Sequence, residues 1–166
     1  MMLEVLTDIF GSYGRIIIFL HIISASLLLG SMLVMIFVVR PVISYMDDEI
    51  LKYRSCLKII KKYFYFLIPV MLILVSASVF MNVGMGFEYG NPVTFIMIHI
   101  KESIWLFMVF NFIYMFIKYI NAKKALEEKD LLVTQENIVL ITKYLMPLNL
   151  LLGMIAVYFG VIIRGY

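Results

Sequence analysis

Hydrophobic residues run along this chain in four long stretches rather than in short alternating ones: Ile16 to Val39, Tyr63 to Val83, Val93 to Ile117 and Ile138 to Ile163. Crossing ~30 Å of hydrocarbon takes an α-helix of ~20 mostly apolar residues, so each stretch is long enough to span a bilayer. Strands of a membrane β-barrel would read as short alternating segments broken by turns. Helices let a lipid-embedded segment satisfy its own backbone polar groups. The pattern therefore predicts an all-α, integral membrane four-helix bundle, a single domain over residues 1–166 with no repeats. Ahead of the first run, Leu3, Val5, Leu6, Ile9 and Phe10 are mixed with Glu4, Thr7 and Asp8. This predicts a short amphipathic interfacial helix over residues 1–14, ended by Gly11 and Gly14. The first run is too long for a cleaved signal peptide, and Arg40-Pro41 follows it instead of a small-residue cleavage site.

Composition sharpens the class. Hydrophobic residues make up 64% of the chain and charged residues 15%, against about 45–50% and about 25% in soluble domains. That balance excludes a soluble globular domain, a disordered chain and a nucleic-acid-binding module. The lone cysteine, Cys56, excludes an internal disulfide or a cysteine metal cluster and is expected to be a plain thiol in a charged loop.

The net charge of +3 matters less than its placement. Arg40, Lys52, Arg54, Lys58, Lys61 and Lys62 lie between the first two runs. Lys118, Lys123, Lys124, Lys129 and Lys143 lie around the connection between the last two. The connection Gly84 to Pro92 has no basic residue. By the positive-inside rule both basic loops face the cytoplasm and both termini face outward, in an inner membrane. Asp47, Asp48, Glu49, Glu127, Glu128, Asp130 and Glu136 are interspersed, so both loops read as solvated helix extensions that also anchor to anionic lipid.

Ionisable groups inside spans are costly and point to function. Both histidines of the chain lie in spans. His21 is sixth in the first run and His99 seventh in the third, and these two runs point the same way. At ~1.5 Å per residue the imidazoles sit within about one turn of equal depth. Two neutral imidazoles on bundle helices suit axial ligation of haem b iron. Proton or substrate handling and structural hydrogen bonding are the other two readings of the same pair. Ser24 shares the face of His21, and Gly30 lies further along, where a small residue admits a macrocycle or a partner helix. Glu102 shares the face of His99 and could orient it, take protons, or pair with Lys101 or Arg15. Lys101 is on another face. It and Arg164 are cations for a carboxylate or ordinary interfacial anchors. Trp105 lies mid-helix, where it would line the interior. Pro69 and Pro147 predict kinks. Asn82 and Asn149 are the remaining polar groups of note, and Met71 and Met97 read as packing with soft-ligand capacity.

Several of these residues also resemble a family. Leu20-His21-Ile22-Ile23 with Gly30 downstream resembles the first helix of the CopD-like and HemJ-like small membrane proteins. His99-Ile100-Lys101 resembles the histidine–isoleucine–lysine motif of the HemJ-type protoporphyrinogen IX oxidases. Pro69 and Met71, and Pro147 with a terminal Arg164, fit the same pattern, which covers all four runs. The resemblance implies a haem-b-binding protein that oxidises protoporphyrinogen IX to protoporphyrin IX, with His21 as a haem ligand and Lys101 as a functional cation. The chain departs from the pattern in three places. Leu27 and Leu28 stand where a tryptophan is usual, Arg40-Pro41 replaces an arginine-bearing segment, and Met146 precedes Pro147 where an acid is expected. The readings carried forward are a haem-linked oxidoreductase passing electrons to a quinone or other membrane carrier, a cytochrome b relay subunit in a homo-oligomer or larger complex, a CopD-like metal or solute transporter, and a purely structural membrane protein.

Overall fold

Each apolar run forms the middle of a longer helical rod. The computed structural model describes residues 2–84, 86 and 92–165, with backbone alone for 2, 3, 164 and 165. The first rod is α1 (Met2–Val34), a π turn (Met35–Val39) and α2 (Arg40–Ser44). The second is α3 (Glu49–Gly84) and the third α4 (Pro92–Glu127). The fourth is α5 (Leu131–Val139), a second π turn (Leu140–Leu145) and α6 (Met146–Gly165). All four rods are long and apolar enough to cross a membrane. No strand forms among the described residues. With 36 residues each, α3 and α4 are ~54 Å long, so their charged ends stand well outside ~30 Å of hydrocarbon.

Two expectations need correction. Gly11 and Gly14 do not end an N-terminal helix, because α1 runs unbroken through both. A glycine costs a helix only ~1 kcal/mol, whereas a break at the edge of an apolar run leaves backbone groups unsatisfied. Phe10 also packs directly on Gly84, leaving no room for a side chain there and tying the start of α1 to the end of α3. The second correction concerns Cys56. It lies within α3 rather than in a loop, and it is buried in the core.

The connections at the basic end are tight. The Asp48 carboxylate accepts from the Leu51 N–H at 3.0 Å and starts α3. After α4, Lys129 takes a left-handed conformation (φ 61°). The Asp130 N–H reaches back to the Ala125 carbonyl at 2.9 Å and the Lys129 N–H to Leu126 at 3.2 Å. This is the Schellman arrangement, usually built on glycine. Asp130 then caps α5 by accepting from the Val133 N–H at 3.1 Å.

Both π turns precede a proline. The Arg40 N–H bonds to the Met35 carbonyl, and the Met146 N–H to the Ile141 carbonyl, each five residues back. Pro41 and Pro147 follow directly. A proline ring clashes with the carbonyl four residues earlier and offers no donor; one wider turn absorbs both problems without ending the rod. Pro69 sits inside α3 without such a turn.

The first rod packs against the second and fourth, and the third also packs against the second and fourth. The first and third rods therefore stand across the bundle from one another. Met32, Ile60, Leu67, Met115, Ile141 and Met146 fill the centre. Phe19, Ile68, Phe110 and Val161 are among the large side chains that face outward. Such an apolar outer surface suits contact with membrane lipid.

Burial pushes the Cys56 thiol up to about 11. Because the thiolate is the reactive form, a maleimide at neutral pH should label folded chain at least about a hundredfold more slowly than chain unfolded in sodium dodecyl sulfate. Equal rates would place Cys56 at the surface.

Candidate functional site

The polar groups within the apolar runs fall into three settings. The first is the inward stripe of α1. Ile17, Ser24, Leu28, Met32 and Met35 are buried at helical spacing, and His21 is half-buried on the same stripe. Its partner on that face, Ser24, is 3% exposed. Gly30 is elsewhere. Nine residues from His21, about two and a half turns, put it on the opposite side of α1. A methyl group there would meet nothing within 4 Å, so Gly30 does not serve helix packing.

The second setting is a chain of three side chains near the end of the bundle opposite the basic loops. Asn82 of α3 donates through Nδ2 to Oε1 of Glu102 at 3.0 Å. The other carboxylate oxygen, Oε2, lies 3.2 Å from Nδ1 of His99. Whenever this carboxylate is ionised it can only accept, and the imidazole then donates from Nδ1 and keeps Nε2 as its basic nitrogen. The Phe95 ring stands edge-on to the imidazole with centroids 4.2 Å apart. The ring is thus held on two sides while 56% of the His99 side chain stays accessible. Of the partners expected for Glu102, the orienting role toward His99 is formed, and Asn82 is added from the neighbouring rod.

Lys101 takes a third direction. It is half-buried in line with the buried Ile98 and Met108 and with half-buried Trp105, the inward stripe of α4. It therefore points toward the bundle instead of sharing the exposed flank of His99 and Glu102. Trp105 is half-buried on that stripe without joining the buried core, which its neighbour Ile104 packs against. Arg164 lies at the end of α6, with its side chain outside the described residues.

A buried amide pair escaped the sequence reading in part. Asn111 of α4 donates through Nδ2 to Oδ1 of Asn149 at 2.8 Å and to the Leu145 carbonyl at 3.0 Å. Asn149 is fully buried and Asn111 nearly so. Asn149 was singled out by its place in an apolar run, and the same signal marks Asn111, a lone amide between Phe110 and Phe112.

Among the described residues no three His, Cys, Asp or Glu side chains gather into a metal site. A bare transition-metal ion needs about that many protein donors. Haem iron needs only axial ones, because the macrocycle supplies four nitrogens. Each histidine could offer such a nitrogen, but the structure places the two differently: His21 lies on the inward stripe of the first rod and His99 on the exposed flank of the third, so the imidazoles are not brought face to face. The chain matches no family model, no curated protein and no solved structure.

Proposed function

We propose that the chain is a haem-b-binding membrane redox protein in which His21 and His99 would hold the iron. The observation that carries this reading is the Asn82–Glu102–His99 chain. Metal-bound histidines characteristically donate their second ring N–H to a carboxylate, which fixes tautomer and ring orientation and raises basicity. When bound, haem supplies one-electron exchange between a reduced substrate of the protoporphyrinogen IX type and a quinone or other membrane carrier.

The roles of the chain's own residues follow from where they sit. Glu102 keeps the His99 proton on Nδ1. Lys101, directed inward from α4, offers an ammonium to a carboxylate of cofactor or substrate, and Arg164 is the second cation proposed for that task. Ser24 and Trp105 border the same interior. The topology proposed with this function has both basic loops in the cytoplasm and both termini outside an inner membrane, following the distribution of lysine and arginine.

The test is the visible spectrum of detergent-purified chain, oxidised and then reduced, after expression with haem supplied. A sharpened α-band on reduction is the expected result. A featureless visible region overturns the reading in favour of a transport or structural role. Loss of function in Lys101→Gln with an unchanged spectrum would separate an oxidase from a relay subunit, which needs only the histidines.

A further inference from the structure

Outside the spans, the most polarised feature is a cleft of about 560 Å³ at the basic end. It opens between the extensions of α3 and α4, closed at one end by the turn into α5. Five cations line it: Arg54, Lys58 and Lys61 from α3, Lys123 from α4, and Lys129 from the turn. The single carboxylate among its lining residues, Glu127, is engaged by Lys123 at 3.7 Å. The other four cations have no ion pair among the described residues. Like charges so close together repel unless a counter-charge joins them.

The remaining walls are apolar. Leu57, Leu126 and Leu131 and the ring of Tyr119 lie behind the cations. The cleft is also placed at a definite depth. Lys61 comes two residues before the second apolar run begins at Tyr63, and Tyr119 two residues after the third ends at Ile117. Below Lys61, Tyr65, Ile68 and Leu72 continue the same helical stripe and are all exposed. The cations thus cap an outward-facing apolar track instead of closing a chamber open only to water.

We propose that this cleft binds the phosphate headgroup of an anionic phospholipid, with the acyl chains running down the Tyr65, Ile68 and Leu72 track. Basic recesses between membrane helices take such headgroups through charge, with each lysine or arginine adding to affinity. The apolar track favours a lipid over a free phosphate, which has nothing to place there. The site is independent of any bound cofactor.

The experiment uses the full chain in a neutral detergent, with melting temperature followed during titration of cardiolipin, phosphatidylglycerol, phosphatidylcholine or inorganic phosphate. The two anionic lipids should raise the melting temperature saturably, and phosphatidylcholine and millimolar phosphate should not. In Arg54→Gln/Lys58→Gln the half-saturating concentration of anionic lipid should rise about tenfold. Lys124→Gln/Lys143→Gln, which removes the same charge from exposed positions outside the cleft, should stay within about twofold of the unaltered chain. Stabilisation by phosphatidylcholine, an equal loss in the two double variants, or stabilisation by inorganic phosphate alone would each overturn the assignment.

Discussion

Replacing either histidine with alanine should strip haem from the purified protein, to below about a tenth of the unaltered chain's content, while the helical circular dichroism stays the same. On the proposed reading each substitution removes one of the two imidazoles that would hold the iron, and Glu102, 3.2 Å from His99, is the neighbouring donor whose own substitution serves as the control. Neither side chain is a packing centre: His21 is half-buried and His99 exposed, so the rods should remain assembled. Glu102→Gln is the graded companion. A carboxamide still accepts from Nδ1 but carries no charge, and loss of such a partner typically weakens metal binding about 10–100-fold. The expected order of haem retention is unaltered chain, then Glu102→Gln, then the two alanine variants. Full haem with an unchanged spectrum in both alanine variants would refute the axial pair. Full loss in Glu102→Gln with retention in His99→Ala would make Glu102, not His99, the important group.

The rods were legible because their signal is coarse. A run of twenty or more mostly apolar residues such as Ile138 to Ile163 forces a helix whatever its neighbours do. The helical extensions were expected, but their detail was not readable. Where Cys56 points depends on the packing of a mixed-charge segment, and a period-3.6 stripe among Lys52, Arg54 and Lys58 is weak. The π turns are local answers to Pro41 and Pro147; a proline announces a disturbance without saying whether the helix bends, breaks or widens. The candidate site divides the same way. That His99 and Glu102 meet follows from their spacing of three on one helix. That Asn82 reaches Glu102 depends on the depth and rotation of two rods, which no spacing encodes. The same is true of Lys101, whose inward direction reflects the rotation of α4. The chemistry of single helices was thus readable, and the chemistry shared between helices was not.

The Asn111–Asn149 pair makes the clearest case for that second kind of information, and it gives the largest expected effect on stability. Asn111→Leu removes two donated hydrogen bonds and leaves Oδ1 of Asn149 inside the bundle without that donor. The other contact of Asn149, from Nδ2 to the Met115 sulfur at 3.9 Å, is too long and too weak to compensate. A buried polar group without its partner costs about 1–3 kcal/mol. Interhelical hydrogen bonds in membranes average about 0.6 kcal/mol and reach about 1.7. A loss of ~1–2 kcal/mol is expected, seen as a fall of about 3–8 °C in melting temperature. Asn149→Leu should cost somewhat less, because Asn111 keeps the Leu145 carbonyl as an acceptor. The double variant decides whether the pair acts through its bond or through its shape. With both amides replaced by leucine no orphan remains, so Asn111→Leu/Asn149→Leu should melt higher than Asn111→Leu alone. If the two losses simply add, the amides do not interact and the contact between α4 and α6 rests on apolar packing. If the double variant recovers, the pair fixes the register between the third and fourth rods, and with it the rotation that turns Lys101 inward and leaves His99 on the flank.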